Sequence, residues 1–348
     1  MRIAVIGTGY VGLTTGGCQG EAQSCGEQTV VPVVEAEGGV GQDGVVRQNP
    51  HTGGKYDPVI SVITAVKNGM PYLPDLLNSV EHQDYPHVEH IVIDDGSTDG
   101  GETCKVLENA QHIKWWSRAN RGQVPTQNEG LLAATGDLVS IICSDDMYRD
   151  SSVLSTVAAS WRPGIHVLYG DTVYIGPDGR RLPYQLPPPG PIEPSDLLTE
   201  CVLKHCSVFV EREFLLKRHL LFDESFRFAA DWDWLIRVFS AARENVLYVP
   251  AFLGAYRQWE NQTSNQSWVE GPFEGERKRI LAMYGGSATA RRERGRARLW
   301  PYRWQKLRGL WHAGGPAMTV HGVVAAVLRR MSRLRLAHRE RKTDAPDP

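Results

Sequence analysis

A chain of 348 residues with 41% hydrophobic, 9% aromatic and 22% charged residues can bury one sizeable core, and is neither fibrous nor disordered in composition. The formal net charge of −2 balances two unlike parts, because residues 276–348 carry 18 Lys and Arg against 5 Asp and Glu, while the remainder carries 20 against 35. An acidic body with a basic end excludes the usual nucleic-acid enzyme, whose folded domain would itself carry the basic surface, so no nucleic-acid partner is expected.

The chain begins with a short strand-like run followed by Gly7, Gly9 and Gly12 in a GxGxxG pattern. Residues 1–18 resemble the start of the UDP-glucose and related nucleotide-sugar dehydrogenases. A dinucleotide site also needs a following helix, a second strand and an acidic residue about 20 positions on. Residues 20–54 are instead rich in Gly, Gln, Glu and Val without a helical period. We therefore read 1–18 as a dehydrogenase-like fragment and 19–56 as a flexible linker.

From Pro58 the pattern changes. Val59–Ala65 is a β-branched strand run, and Leu73, Leu76, Leu77 and Val80 recur at helical spacing. A second strand, Val88–Ile93, ends in Asp94-Asp95-Gly96-Ser97. A short helix, a strand near 112–116, a helix near 126–134 and an apolar strand Leu138–Cys143 follow, the last running into Ser144-Asp145-Asp146. Such alternation predicts a mostly parallel, doubly wound sheet with ligands at the carboxyl ends of its strands, where both acidic pairs fall.

The second half predicts a helix near 150–160, a hairpin turning at Pro177-Asp178-Gly179, a proline-rich loop over 183–194, a strand at 207–210, and helices at 212–219 and 231–242. No apolar stretch reaches the roughly 18 residues of a spanning helix. The six cysteines show no metal-binding spacing and read as thiols of a reducing compartment.

Paired aspartates after a strand can hold a divalent cation through carboxylate oxygens, but an aspartate at such a junction is as readily a helix N-cap. The set of segments narrows this. PVISVITAVKNG, VEHIVIDDGSTDG, NRGQVPTQNEGLLAATGDLVSIICSDD, HCSVFVEREFL and FAADWDWLIR occur in that order. Together they resemble glycosyltransferase family 2 on a GT-A fold, over about residues 57–260.

The resemblance implies an α/β fold, a Rossmann-like mixed sheet flanked by helices, in a transferase domain over 57–275, followed by a basic, partly helical tail over 276–348. By position it implies that Thr64 and Val66 line the nucleobase pocket, that Asp95 bonds the base, and that Arg121 offsets the diphosphate charge. It also implies that Asp145 contacts ribose or metal, that Asp146 holds Mg2+ or Mn2+, and that His205 is a further candidate ligand. Asp231 is implied as the general base, the alternative being a cap of its helix. Trp259 stands where many relatives carry histidine, and stacks on a sugar or belongs to the core.

The function expected is inverting transfer of a sugar from a nucleotide-diphosphate sugar, a UDP-sugar first, to a glycan or lipid-linked acceptor, in cell-surface polysaccharide synthesis. The rivals are a transferase-like binding module without catalysis and an NAD-dependent nucleotide-sugar dehydrogenase. Arginines interleaved with Trp300, Tyr302, Trp304 and Trp311 predict contact with an anionic membrane surface, hence a cytoplasmic enzyme peripheral at the inner face of the membrane.

Overall fold

Every residue of Ile60–Val66 (β1) is buried, as expected of a strand that has neighbours on both edges and helices on both faces. The computed structural model describes residues 57–182, 191–198, 201–259 and 272–284. After β1 come α1 (Leu73–Glu81), β2 (Val88–Asp94), α2 (Glu102–Asn109), β3 (Ile113–Ser117), α3 (Gln123–Ala133) and β4 (Leu138–Ile141). Strands β3, β2, β1 and β4 lie side by side and parallel, with Ile60 opposite both Val88 and Leu138. The chain thus leaves β1 to one side through β2 and returns to its other side at β4. This reversal opens a crevice at the carboxyl ends of β1 and β4, the usual ligand position in such sheets.

The second half consists of β5 (Met147–Tyr148), α4 (Val153–Ser160), β6 (Val167–Ile175), α5 (Pro194–Leu197), a 3-10 turn (His205–Ser207), β7 (Val208–Glu211), α6 (Arg212–Lys217), α7 (Ala230–Ala242), β8 (Val246–Arg257) and α8 (Pro272–Tyr284). The full strand order is β3-β2-β1-β4-β7-β6-β8-β5. Strand β7 is antiparallel to both β4 and β6, and β5 is antiparallel to β8. The sheet is therefore mixed, and the mostly parallel reading holds for its first half alone. Non-local pairing decided this, because β7, which begins at Val208, pairs with β4, which ends at Ile141, only after β5, α4, β6, α5 and the 3-10 turn at His205–Ser207.

The hairpin at Pro177-Asp178-Gly179 forms as expected: Leu182 N–H donates to Tyr174 O at 2.8 Å, and Gly176 N–H to Arg180 O at 2.8 Å. Between β6 and β8 the register shifts around Asp171. Gly170 sits at that shift, where a Cβ would come within 2.6 Å of Ala251 O, so only glycine permits the two backbones to approach.

Two apolar layers cover the sheet. One holds Ile63, Ile93, Leu131, Trp232, Leu235, Phe239 and Ile280 under α3, α7 and α8, and the other holds Ile60, Val62, Leu73, Leu76, Leu154 and Val157 under α1 and α4. Helix α8 crosses the expected boundary at 275/276. Ile280 is fully buried, Glu276 accepts N–H bonds from Arg227, Phe228 and Ala229 at 2.8 Å each, and Tyr284 donates to Asp233 at 2.6 Å. Its apolar side chain and its acid, not its overall basic charge, decide where it docks, so residues to 284 belong to the folded domain. The glycine motif of 1–18, the 19–56 linker, and the tail aromatics lie outside the described residues. Among the described residues no helix is long and apolar enough to cross a membrane. Cys143, Cys201 and Cys206 are free thiols, whereas Cys104 is disulfide-bonded, a departure from the all-thiol expectation.

Candidate active site

Strand β2 delivers Asp94 and Asp95 to the crevice, and the two do different work. Asp94 accepts from Ser97 Oγ at 2.5 Å, Ser97 N at 3.1 Å and Ser117 Oγ at 2.6 Å, which fixes the turn after the strand. Gly96 takes φ of 72° there, and a Cβ would meet Asn120 N at 2.9 Å. Asp95, also fully buried, accepts from the Arg118 guanidinium and from the backbone N–H groups of Arg121 at 2.8 Å and Gly122 at 2.9 Å. Arg118 is held in turn by Glu129 at 2.8 Å and Thr126 at 2.9 Å. One carboxylate therefore sets the path of the loop from β3 to α3.

Thr64 and Val66 are both fully buried, with Thr64 Oγ1 3.3 Å from His90 Nε2. Neither side chain opens onto solvent, because both faces of this central strand are covered. Val66 contributes its carbonyl, which accepts the Asp95 N–H at 2.8 Å. Arg121 is 61% exposed, its Nη1 3.6 Å from Glu129.

Strand β4 delivers the second pair. The chain turns tightly after it, with Asp146 N–H donating to Cys143 O at 3.0 Å. Asp145 Oδ2 accepts from Trp259 Nε1 at 2.9 Å, and Asp146 Oδ1 from Arg257 N at 2.9 Å. Asp146 Oδ2 is buried without any donor. Burial raises the pKa of both carboxyls, and the Asp145 charge drives Asp146 further upward. Two buried acids with a bare oxygen fit a hard divalent cation, which would supply the missing positive charge. Ligand atoms of Cys143, Asp145 and Asp146 lie within 4.8 Å of one another. His205 is not in that group; its Nε2 lies 3.3 Å from Cys143 Sγ.

Arg257, unremarked in the sequence, ties this corner together from a fully buried position. Its Nε donates to Asp145 O at 2.8 Å, Nη1 to Pro177 O at 3.1 Å and Nη2 to Asp75 at 2.7 Å, and its guanidinium lies 4.5 Å over Tyr72. Trp259 packs edge-on against the same Tyr72, at 5.2 Å. Local sequence could flag Arg257 only as an arginine in an apolar strand; its partner Asp75 lies 182 residues away.

Asp231 is the second residue of α7 and accepts the Trp232 N–H at 2.8 Å, while remaining partly exposed. Its charge acts on both Lys204 and His205, which places it by the 3-10 turn. Glu276 braces the backbone just before it. Asp233 is buried and bonded to Arg237 at 2.7 Å and to Tyr284 at 2.6 Å.

Comparison with known proteins adds the family. Residues 61–222 match the model for glycosyl transferase family 2. An uncharacterized glycosyltransferase of Rickettsia conorii, RC0461, is 27% identical over 54% of this chain and 32% of its own length. TuaG of Bacillus subtilis, named a putative teichuronic acid biosynthesis glycosyltransferase, is 26% identical over 45% of this chain and 64% of its own. The chain thus spans from about a third to under two thirds of the length of these relatives. S. aureus TarS 1-349, solved in complex with UDP-GlcNAc, superposes with a TM-score of 0.54 at 20% identity, over 73% of this chain and 81% of that one. At that identity the likeness speaks for the fold, which is the expected GT-A arrangement of a mixed sheet between helices. With the two acidic pairs at the carboxyl ends of β2 and β4, residues 61–222 of this chain form a glycosyl transferase family 2 domain.

Proposed function

We propose that the protein is an inverting glycosyltransferase that moves a sugar from a nucleotide-diphosphate sugar, a UDP-sugar first, to a glycan or lipid-linked acceptor in polysaccharide synthesis. The carrying observation is the buried Asp145-Asp146 pair with its unmatched oxygen, set at the end of β4 within a family 2 domain. The relative named for teichuronic acid biosynthesis and the neighbour solved with UDP-GlcNAc support the same reading.

Asp146, with Asp145, would hold Mg2+ or Mn2+, which when bound offsets the charge of the departing diphosphate. Asp95 orders the loop 118–122 at the nucleobase end, over the strand floor of Thr64 and Val66, and Arg121 lies at its rim. Asp231 takes the proton of the acceptor hydroxyl as that oxygen bonds to the anomeric carbon. The electron pair of the broken bond leaves on the diphosphate oxygen, in a single displacement. Glu276 and the α7 backbone keep Asp231 in place.

The test is release of nucleoside diphosphate from a panel of nucleotide sugars with Mn2+ and candidate acceptors. Asp231→Asn should lower turnover at least about 100-fold while donor binding persists; equal turnover would remove Asp231 as base. For the basic tail we propose contact with anionic lipid at the inner face of the membrane. Removal of 291–348 should abolish sedimentation with anionic liposomes.

A further inference from the structure

The proposed donor is an anion, yet the acids at the crevice outnumber the cations still available to meet it. Arg118 is committed to Asp95, Glu129 and Thr126, and Arg257 is buried among Asp75 and carbonyl oxygens. Arg121, the guanidinium expected to serve the diphosphate, is largely exposed beside Glu129.

Lys204 differs from all three. It is partly buried, and among the described residues no carboxylate lies within ion-pair distance of its ammonium. The Nζ instead rests 4.5 Å above the ring of Tyr256, which Tyr174 packs edge-on at 5.7 Å. Its backbone is fixed, since Ser207 N and Oγ both donate to Lys204 O, at 3.0 and 2.9 Å.

Two chain neighbours tie Lys204 to the metal corner. His205 touches Cys143, whose sulfur lies within 4.8 Å of ligand atoms of Asp145 and Asp146. Tyr256 precedes Arg257, which bonds the backbone of Asp145 and the carboxylate of Asp146. A partly buried ammonium on an aromatic platform, which feels the charges of Asp231 and Asp146 but forms an ion pair with neither, can still take up anionic oxygens.

We propose that Lys204 contacts the diphosphate oxygens of the donor and of the nucleoside diphosphate that leaves. The inference rests on the donor reading above and assigns the protein's own cation for it. A lysine serves here as a point charge that can follow the oxygens as they depart, whereas the neighbouring arginines are locked by several bonds each.

The experiment is calorimetric titration of UDP, and separately GDP, with Mn2+, into the full-length wild type, Lys204→Met and Lys204→Arg, each checked for native thermal unfolding. Lys204→Met should weaken binding of the preferred nucleotide about tenfold or more, the loss of one charge-assisted contact. Lys204→Arg should stay within about threefold of wild type, because the charge is kept. Binding by Lys204→Met within twofold of wild type would overturn the assignment, as would an arginine variant as weak as the methionine one. A wild type that bound neither nucleotide would overturn the donor reading itself, and this inference with it.

Discussion

Asp95 and Asp146 are both completely buried carboxylates at the carboxyl ends of strands that flank β1, yet their surroundings differ in kind. Asp95 receives a guanidinium and two backbone N–H groups. Asp146 receives a single backbone N–H from Arg257, and its second oxygen has no donor. Burying an ionised carboxylate costs several kcal/mol unless the protein or a ligand answers it. The Asp95 end of the crevice is therefore completed by the chain itself, while the Asp146 end keeps an oxygen without a donor, where we propose that a cation binds.

The comparison can be broken most forcefully at Arg257, which organises the metal end without touching a ligand. Arg257→Met would strand the Asp145 and Pro177 carbonyls and should cost about 3 kcal/mol in urea unfolding. The half-exposed Asp75 adds little to that figure. A loss below about 1 kcal/mol would mean that the corner holds without it.

The two acids themselves give the sharper contrast. Asp95→Asn should destabilise by about 2 kcal/mol, since an amide has one acceptor oxygen where three donors converge. Asp146→Asn should change stability by less than about 0.5 kcal/mol without metal, because it removes a charge that nothing pairs. Mn2+ should then raise the melting temperature of the wild type and not of Asp146→Asn. Equal losses for the two substitutions would end the distinction.

A smaller effect belongs to the β2 side alone. His90, 2% exposed, has its pKa pushed down to about 3 by burial and by His112, whose ring lies 6.0 Å away. The unfolded chain takes up the proton near pH 6.5 and the folded chain does not, so stability falls as pH drops from that value towards 3. The loss should be about 1.4 kcal/mol at pH 5.5, and His90→Gln should flatten it in pH-dependent denaturation curves. Glu89, next along the strand, is lowered to about 2 by Lys114, Ser61 and Thr135 against the opposing effect of burial, so its own contribution is lost at still lower pH.

Much of the first half was legible in the sequence. Runs such as ISVITAV and VEHIVID are apolar and β-branched, their spacing gives parallel strands, and the acids that follow them mark the open end of the sheet. The strand Val246–Arg257 was not read in advance. Pro250 argues locally against a strand, and is accommodated beside the register shift with β6, a fact of pairing alone. The same limit hid Arg257, and it put the domain boundary too early, since nothing in the charge of α8 shows that Ile280 and Glu276 dock on the body.

By itself the sequence determined most element types of the first half and the end of the sheet that carries its acidic pairs, because periodicity and turn chemistry are local, while the roles proposed for Asp95, Asp145, Asp146 and Asp231 came from the family resemblance. Only the tertiary structure decided which of those acids is satisfied and which is left bare, that Thr64 and Val66 are closed in, and that Lys204 rests on the ring of Tyr256 while Arg121 is largely exposed. Those are questions of which donors meet which acceptors across a hundred or more residues, and only the packed chain brings them together.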